Sequence, residues 1–493
     1  MAQKEYREPN VYTKTQRVIP EVPVTPVDMY PLVIGTGQTS MTKKDIGFTV
    51  KAEFTTDEGG EQKATGEYEK ITFEDAVSEI VDAYTYDEWG DTVDLEKTTD
   101  YTFSKENKQI TLVKESKKFS LGDVIYFSYI TEADDSRYEI QRFTDASDVI
   151  DFYGEDVIDG ALNKISLGAQ IALNTGSDAV YVLQVKTPAD SVTMEMAYKE
   201  ALEENVIDNV GSHIWRINPV DPGAERAVRK FVNEMSLPEE RNEKFSNVNC
   251  SIPEKGKNYS GTFEDRNIDG ANTPGLLTVY QNFINKFVSR DSAYRFQTFY
   301  PNTAEYVASD GATYKVDGNI IGCAFAGLEQ QLTRNSQSAT NSAIPAGYFN
   351  LLPAMKLRRK QKNLLAERGV TFLTQQEAYG PITVRDSLSM DMSSYYTQDP
   401  CVTRAVDYTA KTLRQYLLPY IGKSSIDPET IAKVRATADT KLQDMVSAGE
   451  ILSYTIVSLE QDTDNPMCLV LNLRIGVLFP LKEIDVNIVL IRE

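Results

Sequence analysis

Both ends of the chain carry extended, partly apolar segments with β-strand character. Residues 11–19 and 22–24 are β-prone, and the prolines between positions 9 and 26 exclude a regular helix there. Residues 484–490 place apolar side chains at every second position. Such segments fray, pair within their own subunit, or pair with a neighbouring copy. In the last case, strand addition at both ends links subunits head to tail into rings or helical tubes.

The length and composition indicate a folded protein with several domains. A chain of 493 residues is too long for one hydrophobic core, so about two to four domains are expected. Hydrophobic residues make up 41% and aromatic residues 10% of the chain, which is ample for buried cores. A largely disordered chain is therefore excluded.

The net charge excludes two classes of binding protein. The 73 acidic and 51 basic side chains give a formal charge of −22. Proteins that bind duplex nucleic acid or anionic membranes gain affinity from excess Lys and Arg, so neither class fits. No apolar stretch approaches the ~18 residues of a membrane span. The N-terminus has no secretory signal, so we expect synthesis and folding in a cytoplasm.

The sequence offers little for catalysis or metal binding. His213 is the single histidine, which excludes multi-histidine metal sites and leaves histidine-dependent catalysis to one residue. The four cysteines are widely scattered without a CxxC motif, so neither a zinc ribbon nor a redox pair is expected. The turn at residues 35–37 resembles a phosphate-binding loop but lacks the third glycine. We therefore expect no catalytic residue, no cofactor site and no metal ligand.

The composition and the predicted secondary structure change along the chain. Residues 51–140 contain 23 acidic and 10 basic side chains and strand-like runs separated by polar turns, which predicts an inserted, solvated all-β domain. Residues 143–250 alternate helix and strand signals, as in an α/β layer. Further on, apolar positions predict a helix over 402–421, and residues 469–477 alternate as a half-buried strand.

One basic segment stands out in this acidic chain. Residues 356–368 carry six basic side chains and one acid and are predicted to form a helix that ends at Gly369. It is either a solvated helix face or a contact with an acidic surface, on another copy of the chain or on a partner. The candidate contact residues are Lys356, Arg358, Arg359, Lys360 and Lys362.

The order of these features resembles the tail sheath proteins of contractile-tailed bacteriophages of the myovirus type, and the related sheaths of contractile injection systems. The inserted segment at 48–140 departs from the minimal pattern of that family. The resemblance is carried by the proline-punctuated N-terminal arm and by residues 31–35, 143–154, 179–185, 363–373 and 380–388, with the helix at 402–421 and the terminal strands.

The resemblance implies an α+β multidomain protein. Its α/β core would be built from N- and C-terminal halves, with an inserted all-β domain and extended β arms at both termini. The expected parts are an N-terminal arm (1–26), a discontinuous α/β core domain (27–47 and 141–355), an acidic β domain (48–140), a C-terminal α/β sheath domain facing the tube (356–479) and a C-terminal β arm (480–493).

The resemblance also implies a structural, non-enzymatic role in the virion. Subunits of the family stack as hexameric rings around a tail tube and contract, which drives the tube through the host envelope during genome delivery. Subunits slide as rigid bodies if their arms stay paired and bend near Pro26 and Pro480. The arm residues expected to link subunits are Val11, Tyr12, Val18, Ile19, Val22, Val24, Ile484, Val486, Ile488 and Leu490.

The implied partners are other copies of the chain, the tail tube protein, and the baseplate and tail terminator proteins, without direct nucleic-acid binding or membrane insertion. Assembly would take place in the host bacterial cytoplasm. The alternatives are a virion- or surface-decorating adhesin that uses the acidic β module, and the sheath of a bacterial contractile injection system. An enzyme acting on polysaccharide is a further class, and it would require an acidic cleft.

Overall fold

A computed structural model describes most of the chain in two compact units. The large unit comprises Met1–Gly37 and Tyr138–Glu493, and the small unit comprises Gln38–Arg137. The described residues are 29–37, 43–56, 62–73, 77–87, 92–104, 106–131, 138–158, 160–186, 193–205, 213–238, 240–256, 258–268, 271–288 and 292–482.

The described residues form 27 strands and ten α-helices. The strands are β1 (Tyr30–Thr36), β2 (Lys43–Thr49), β3 (Ala52–Thr56), β4 (Gln62–Tyr68), β5 (Ile71–Thr72), β6 (Val77–Tyr86), β7 (Thr92–Asp94), β8 (Tyr101–Ser104), β9 (Gln109–Leu112), β10 (Val124–Thr131), β11 (Gln141–Phe143), β12 (Val157–Ile158), β13 (Ala161–Leu162), β14 (Val180–Val185), β15 (Ile214–Pro219), β16 (Phe245–Asn247), β17 (Arg266–Ile268), β18 (Ala271–Thr273), β19 (Phe296–Tyr300), β20 (Thr303–Val307), β21 (Thr313–Asp317), β22 (Ala343–Ile344), β23 (Phe349–Leu351), β24 (Val370–Gln375), β25 (Ile382–Asp386), β26 (Ser453–Gln461) and β27 (Leu469–Gly476). The helices are α1 (Ala146–Tyr153), α2 (Lys164–Asn174), α3 (Met194–Asn205), α4 (Glu225–Met235), α5 (Leu276–Val288), α6 (Gly318–Gln330), α7 (Arg359–Ala366), α8 (Tyr395–Gln398), α9 (Pro400–Leu417) and α10 (Pro428–Ala448).

A nine-stranded sheet forms the centre of the large unit. Its strand order is β11-β14-β1-β15-β16-β19-β24-β25-β22. The strands from β14 to β24 run parallel, and β11, β25 and β22 each pair antiparallel with their neighbours. All side chains of β14 and β15 are buried, as expected for strands covered on both faces.

Two apolar cores cover the two faces of this sheet. One core contains Tyr198 of α3, Val228 of α4 and Tyr280 of α5, and the other contains Leu167 of α2 and Phe325 of α6. Helices on both faces of a mostly parallel sheet are the arrangement that βαβ connections produce. The predicted α/β layer is therefore present.

The last 80 or so described residues add two long helices and a hairpin. The Asp399 side chain accepts a hydrogen bond from the backbone of α9, and Asp427 does the same for α10, with proline next in each case. The antiparallel pair β26–β27 packs its apolar side chains, Leu459 and Leu471 among them, against Ala438 of α10. The apolar face of the hairpin therefore attaches it to α10.

The small unit is an all-β structure with its own core. Its described strands form a four-stranded sheet (β2-β10-β6-β7), a three-stranded sheet (β5-β9-β8) and a two-stranded sheet (β3-β4). Ile110, Ile125 and Phe127 are fully buried at its centre. Strand β2 pairs antiparallel with β10, which places residues before 48 in this unit.

Three sequence predictions require correction. Residues 43–47, expected in the α/β core segment 27–47, belong to β2 of the small unit. The basic helix expected at 356–368 is the shorter α7, because Arg358 is extended and Gly369, at φ +84°, ends the turn that follows the helix. The expected domain boundary between residues 355 and 356 divides a single sheet, because β24 and β25 belong to the same nine-stranded sheet as β1. Parallel pairing between β19 and β24 joins the two sides of that boundary.

Candidate assembly surfaces

The basic segment lies around the start of α7. The backbone N–H of Arg358 donates to the Gln361 side chain at 2.9 Å, which fixes the point where the helix begins. Lys356, Arg358, Arg359 and Lys360 are exposed. These four cations therefore remain available to an acidic partner.

Lys362 differs from the other predicted contact residues. It is half-buried, and its ammonium lies 5.3 Å from the centre of the Phe372 ring. Leu365, one turn further along, is fully buried in the large unit. Lys362 therefore contributes to the attachment of α7 as well as to its charge.

The hairpin β26–β27 is a two-stranded sheet among the described strands. Within the described residues, neither of its strands pairs with a third strand. The pairing register shifts between Ile456 and Ser458, and Val457 at that point is 52% exposed. The sequence predicted the alternating strand at 469–477 but gave no sign of its pairing with β26.

The predicted arm residues lie outside the described part of the chain. These residues are Val11, Tyr12, Val18, Ile19, Val22, Val24, Ile484, Val486, Ile488 and Leu490. Their role as linking strands stays a prediction.

A buried ionic junction fixes α9 against the central sheet. Arg295 donates two hydrogen bonds to Asp407, at 2.7 and 3.1 Å, and the Trp215 indole N–H donates to the same carboxylate at 2.8 Å. Arg295 and Asp407 are both almost fully buried. Burial alone would lower the pKa of Arg295, but the Asp407 carboxylate outweighs it and raises that pKa.

The same junction contains buried lysines. Burial, reinforced by the nearby Arg414 and Arg295, lowers the pKa of Lys411 to about 8, although Glu243 and Asp407 oppose the shift. Burial also lowers the pKa of Lys244, whose ammonium donates to the Ile214 carbonyl at 2.5 Å. The junction is therefore electrostatically costly, and it depends on its carboxylates.

The glycines of the turn at residues 35–37 are closely packed. A side chain at Gly35 would lie 2.0 Å from Val220, and one at Gly37 would lie 2.8 Å from Gln184. The Asp221 carboxylate accepts hydrogen bonds from the backbone and hydroxyl of Thr36, at 2.6 and 2.9 Å. These glycines permit close packing at the ends of β1 and β15.

The part of the chain that the structure describes contains neither a metal-ion cluster nor a membrane-spanning helix. No group of three His, Cys, Asp or Glu side chains there is arranged to hold a metal ion. Among the helices in that part of the chain, none has the length and apolar character needed to cross a membrane.

Comparison with known proteins gives one relative in sequence. No protein-family model matches the chain. Over 85 residues it is 35% identical to the tail sheath protein of Mycobacterium phage Bxz1. The match spans 17% of this chain and 14% of the length of that relative.

Comparison with solved structures gives relatives in fold. The chain resembles a chain of the anti-feeding prophage baseplate, with a TM-score of 0.53 and 13% identity over 72% of this chain and 89% of the other. It also resembles the helical sheath of the anti-feeding prophage in its contracted state, with a TM-score of 0.50 and 12% identity over 71% and 88% of the two chains. The chain therefore has a fold found in contractile sheaths, and its sequence is similar to part of a phage tail sheath protein, which confirms the resemblance inferred from its motifs.

Proposed function

We propose that this chain is the structural subunit of a contractile tail sheath. It stacks as six-membered rings around a tail tube, and the resulting lattice shortens to drive the tube through a host cell envelope during genome delivery. The role is structural rather than enzymatic. Its partners are other copies of itself, the tube, and the proteins at the two ends of the tail.

The observation that carries this proposal is the isolated hairpin. This two-stranded sheet packs an apolar face on α10, and within the described residues its two strands pair only with each other as strands. Exposed strand edges add strands from other chains. The sequence supplies suitable strands at both of its ends, so each copy carries acceptors and donors for its neighbours.

Strand addition of this kind suits a lattice that must move without falling apart. Each added strand forms backbone hydrogen bonds whose geometry does not depend on how the rigid units are oriented. Subunits can then rotate and slide while their arms stay paired. The extended lattice would be kinetically trapped, and greater apolar burial in the shortened lattice would drive contraction.

The exposed basic segment favours an acidic neighbour. Four cations from Lys356 to Lys360 are concentrated on a chain whose formal charge is −22. Complementary charge selects and orients a partner more than it adds affinity. We assign this segment to the contact with the tube or with an adjacent sheath subunit.

Electron microscopy of the purified full-length chain tests the proposal. We expect striated tubes or rings in negative stain. Deletion of residues 483–493 should leave a folded subunit that forms neither, because the donor strand is lost while the described core is kept. Circular dichroism would verify the fold of the truncated chain. Featureless particles from the full-length chain, or normal tubes from the truncated one, would contradict the proposal.

A second candidate is the sheath of a bacterially encoded injection system. The fold matches from the anti-feeding prophage favour it. Both candidates use the same assembly, and the neighbouring genes would separate them: capsid genes indicate a phage, and their absence beside tail genes indicates an injection system. The adhesin alternative predicts a monomer or a small closed oligomer in the same micrographs.

A further inference from the structure

The chain between the hairpin and the C-terminal arm is fixed at three successive points. Val477 packs with Cys401 and Val402 at the start of α9. The Phe479 ring lies edge-on to Tyr396 of α8, with 5.2 Å between ring centres. The third point is Lys482, two residues before the predicted linking strand at 484–490.

Lys482 joins the central sheet to α9. Its ammonium donates to the Asp386 carboxylate, at the end of β25, at 2.7 Å and to the Ser387 carbonyl at 3.1 Å. It also lies 3.0 Å from Asp399, the residue that caps α9. One cation therefore neutralises two carboxylates that belong to different elements.

The surroundings make this contact stronger than a surface ion pair. The Asp399 side chain is 3% exposed, and those of Asp386 and Lys482 are 31% and 30% exposed. Asp399 also accepts hydrogen bonds from Ser338 at 2.7 Å and from the backbone of Cys401 at 3.0 Å. Without the ammonium, Asp399 keeps these donors but loses a counter-charge in a poorly solvated place.

We propose that Lys482 is a clamp that sets where the C-terminal arm leaves the subunit. The three contacts place the pivot of the arm beyond Lys482 rather than near Pro480, where the sequence suggested a bend. Opening the clamp would free residues 480–482, a tether of about 10 Å when extended, while Val477 and Phe479 keep their contacts. The clamp thus shortens the distance that the C-terminal arm can reach, and it sets the direction in which the arm leaves the subunit. Its part in assembly rests on the proposed sheath function, but its existence does not.

Limited proteolysis of the unassembled full-length subunit tests the clamp directly. Chymotrypsin cleaves after leucine but not at the Phe479–Pro480 bond, so Leu481 reports on the release of this segment. Lys482→Gln should speed cleavage there about tenfold, because a charged hydrogen-bonding group is lost. Asp386→Asn should speed it less, since Asp399 and the Ser387 carbonyl still hold the ammonium. Lys482→Arg should restore protection.

The controls separate release of the segment from general unfolding. Lys423→Gln alters an exposed lysine of the same unit and should leave cleavage unchanged. Cleavage at sites inside the central sheet should stay slow in every variant. Equal cleavage at Leu481 in the wild type, Lys482→Gln and Asp386→Asn would overturn the clamp. Because these measurements use single subunits, a chain that fails to form tubes would refute the sheath function and leave the clamp intact.

Discussion

Lys411 shows how a single buried side chain can act against stability. It lies on α9 in the ionic junction and is 5% exposed, and burial lowers its pKa from the ordinary 10.5 to about 8. Below pH 8 the ammonium is charged in both the folded and unfolded chain, and the cost of burying it is present in full. Between about pH 8 and 10.5 the folded chain binds fewer protons than the unfolded chain. Stability from this group therefore rises with pH in that window.

Replacing this lysine tests the sign of that effect. Lys411→Met should raise the free energy of unfolding at pH 7, by on the order of 3 kcal/mol, because the charge no longer has to be buried. The difference from the wild type should shrink as pH rises toward 10, where the wild-type lysine is neutral in the folded chain. Urea denaturation at pH 7 and pH 9.5 measures both values. Lys423→Met, at an exposed site, should show neither change, and a pH-independent gain in Lys411→Met would disprove the interpretation.

At the scale of elements, the sequence predicted that α9 is a helix but not which of its polar side chains are buried. The apolar repeat at 402–421 correctly predicted a helix, observed at Pro400–Leu417. The polar side chains at 403, 407 and 411 follow the same helical spacing and would be assigned to water by pattern alone. They are instead 5%, 2% and 5% exposed. The Arg295 partner of Asp407 lies 112 residues away in sequence, and no local pattern reports such a pair.

The same limit applies to the candidate surfaces. The basic segment was visible in sequence because its charges are adjacent, whereas the two-stranded hairpin follows from which of the described strands pair with each other. Lys482 was not singled out, because the sequence gives no sign that it meets Asp386 and Asp399. Strand and helix signals are local, but junctions and edges are properties of the tertiary structure.

The docking of α9 should depend on the Asp407 carboxylate. Asp407→Asn leaves the Arg295 guanidinium buried without its counter-charge, so we expect a loss of about 3–5 kcal/mol in the free energy of unfolding. Asp444→Asn is a matched control on α10, where it breaks an exposed pair with Lys441 and should cost at most about 1 kcal/mol. Chemical denaturation compares the two. Similar small losses in both variants would show that the junction contributes little to stability.

At the scale of the whole molecule, charge is distributed unevenly. Residues 51–140 hold a net charge of −13, from 23 acidic and 10 basic side chains, whereas residues 356–368 hold +5, from six basic side chains and one acid. An acidic unit favours solubility and disfavours unspecific contact with nucleic acid. The concentrated positive charge is then reserved for one kind of contact. This division fits a subunit that must remain soluble before it assembles and must then recognise a specific acidic surface.

Charge reversal at the start of α7 tests that division. Arg358→Glu with Arg359→Glu changes the charge by four units at exposed positions, and acidic side chains are favourable at a helix N-terminus, so the fold should persist. Lys362 is left unchanged because its contact with Phe372 helps attach α7.

Lys423→Glu with Arg435→Glu makes the same change in charge at exposed sites elsewhere in the large unit. We expect the first pair to reduce sheath assembly around tubes by at least about tenfold at low salt, and the second pair to leave it unchanged. Raising the ionic strength should weaken wild-type assembly as well, because exposed charges are screened. Equal yields of sheathed tubes from the two double variants, counted by electron microscopy, would show that the segment is only a solvated helix end, since the same charge was removed in both.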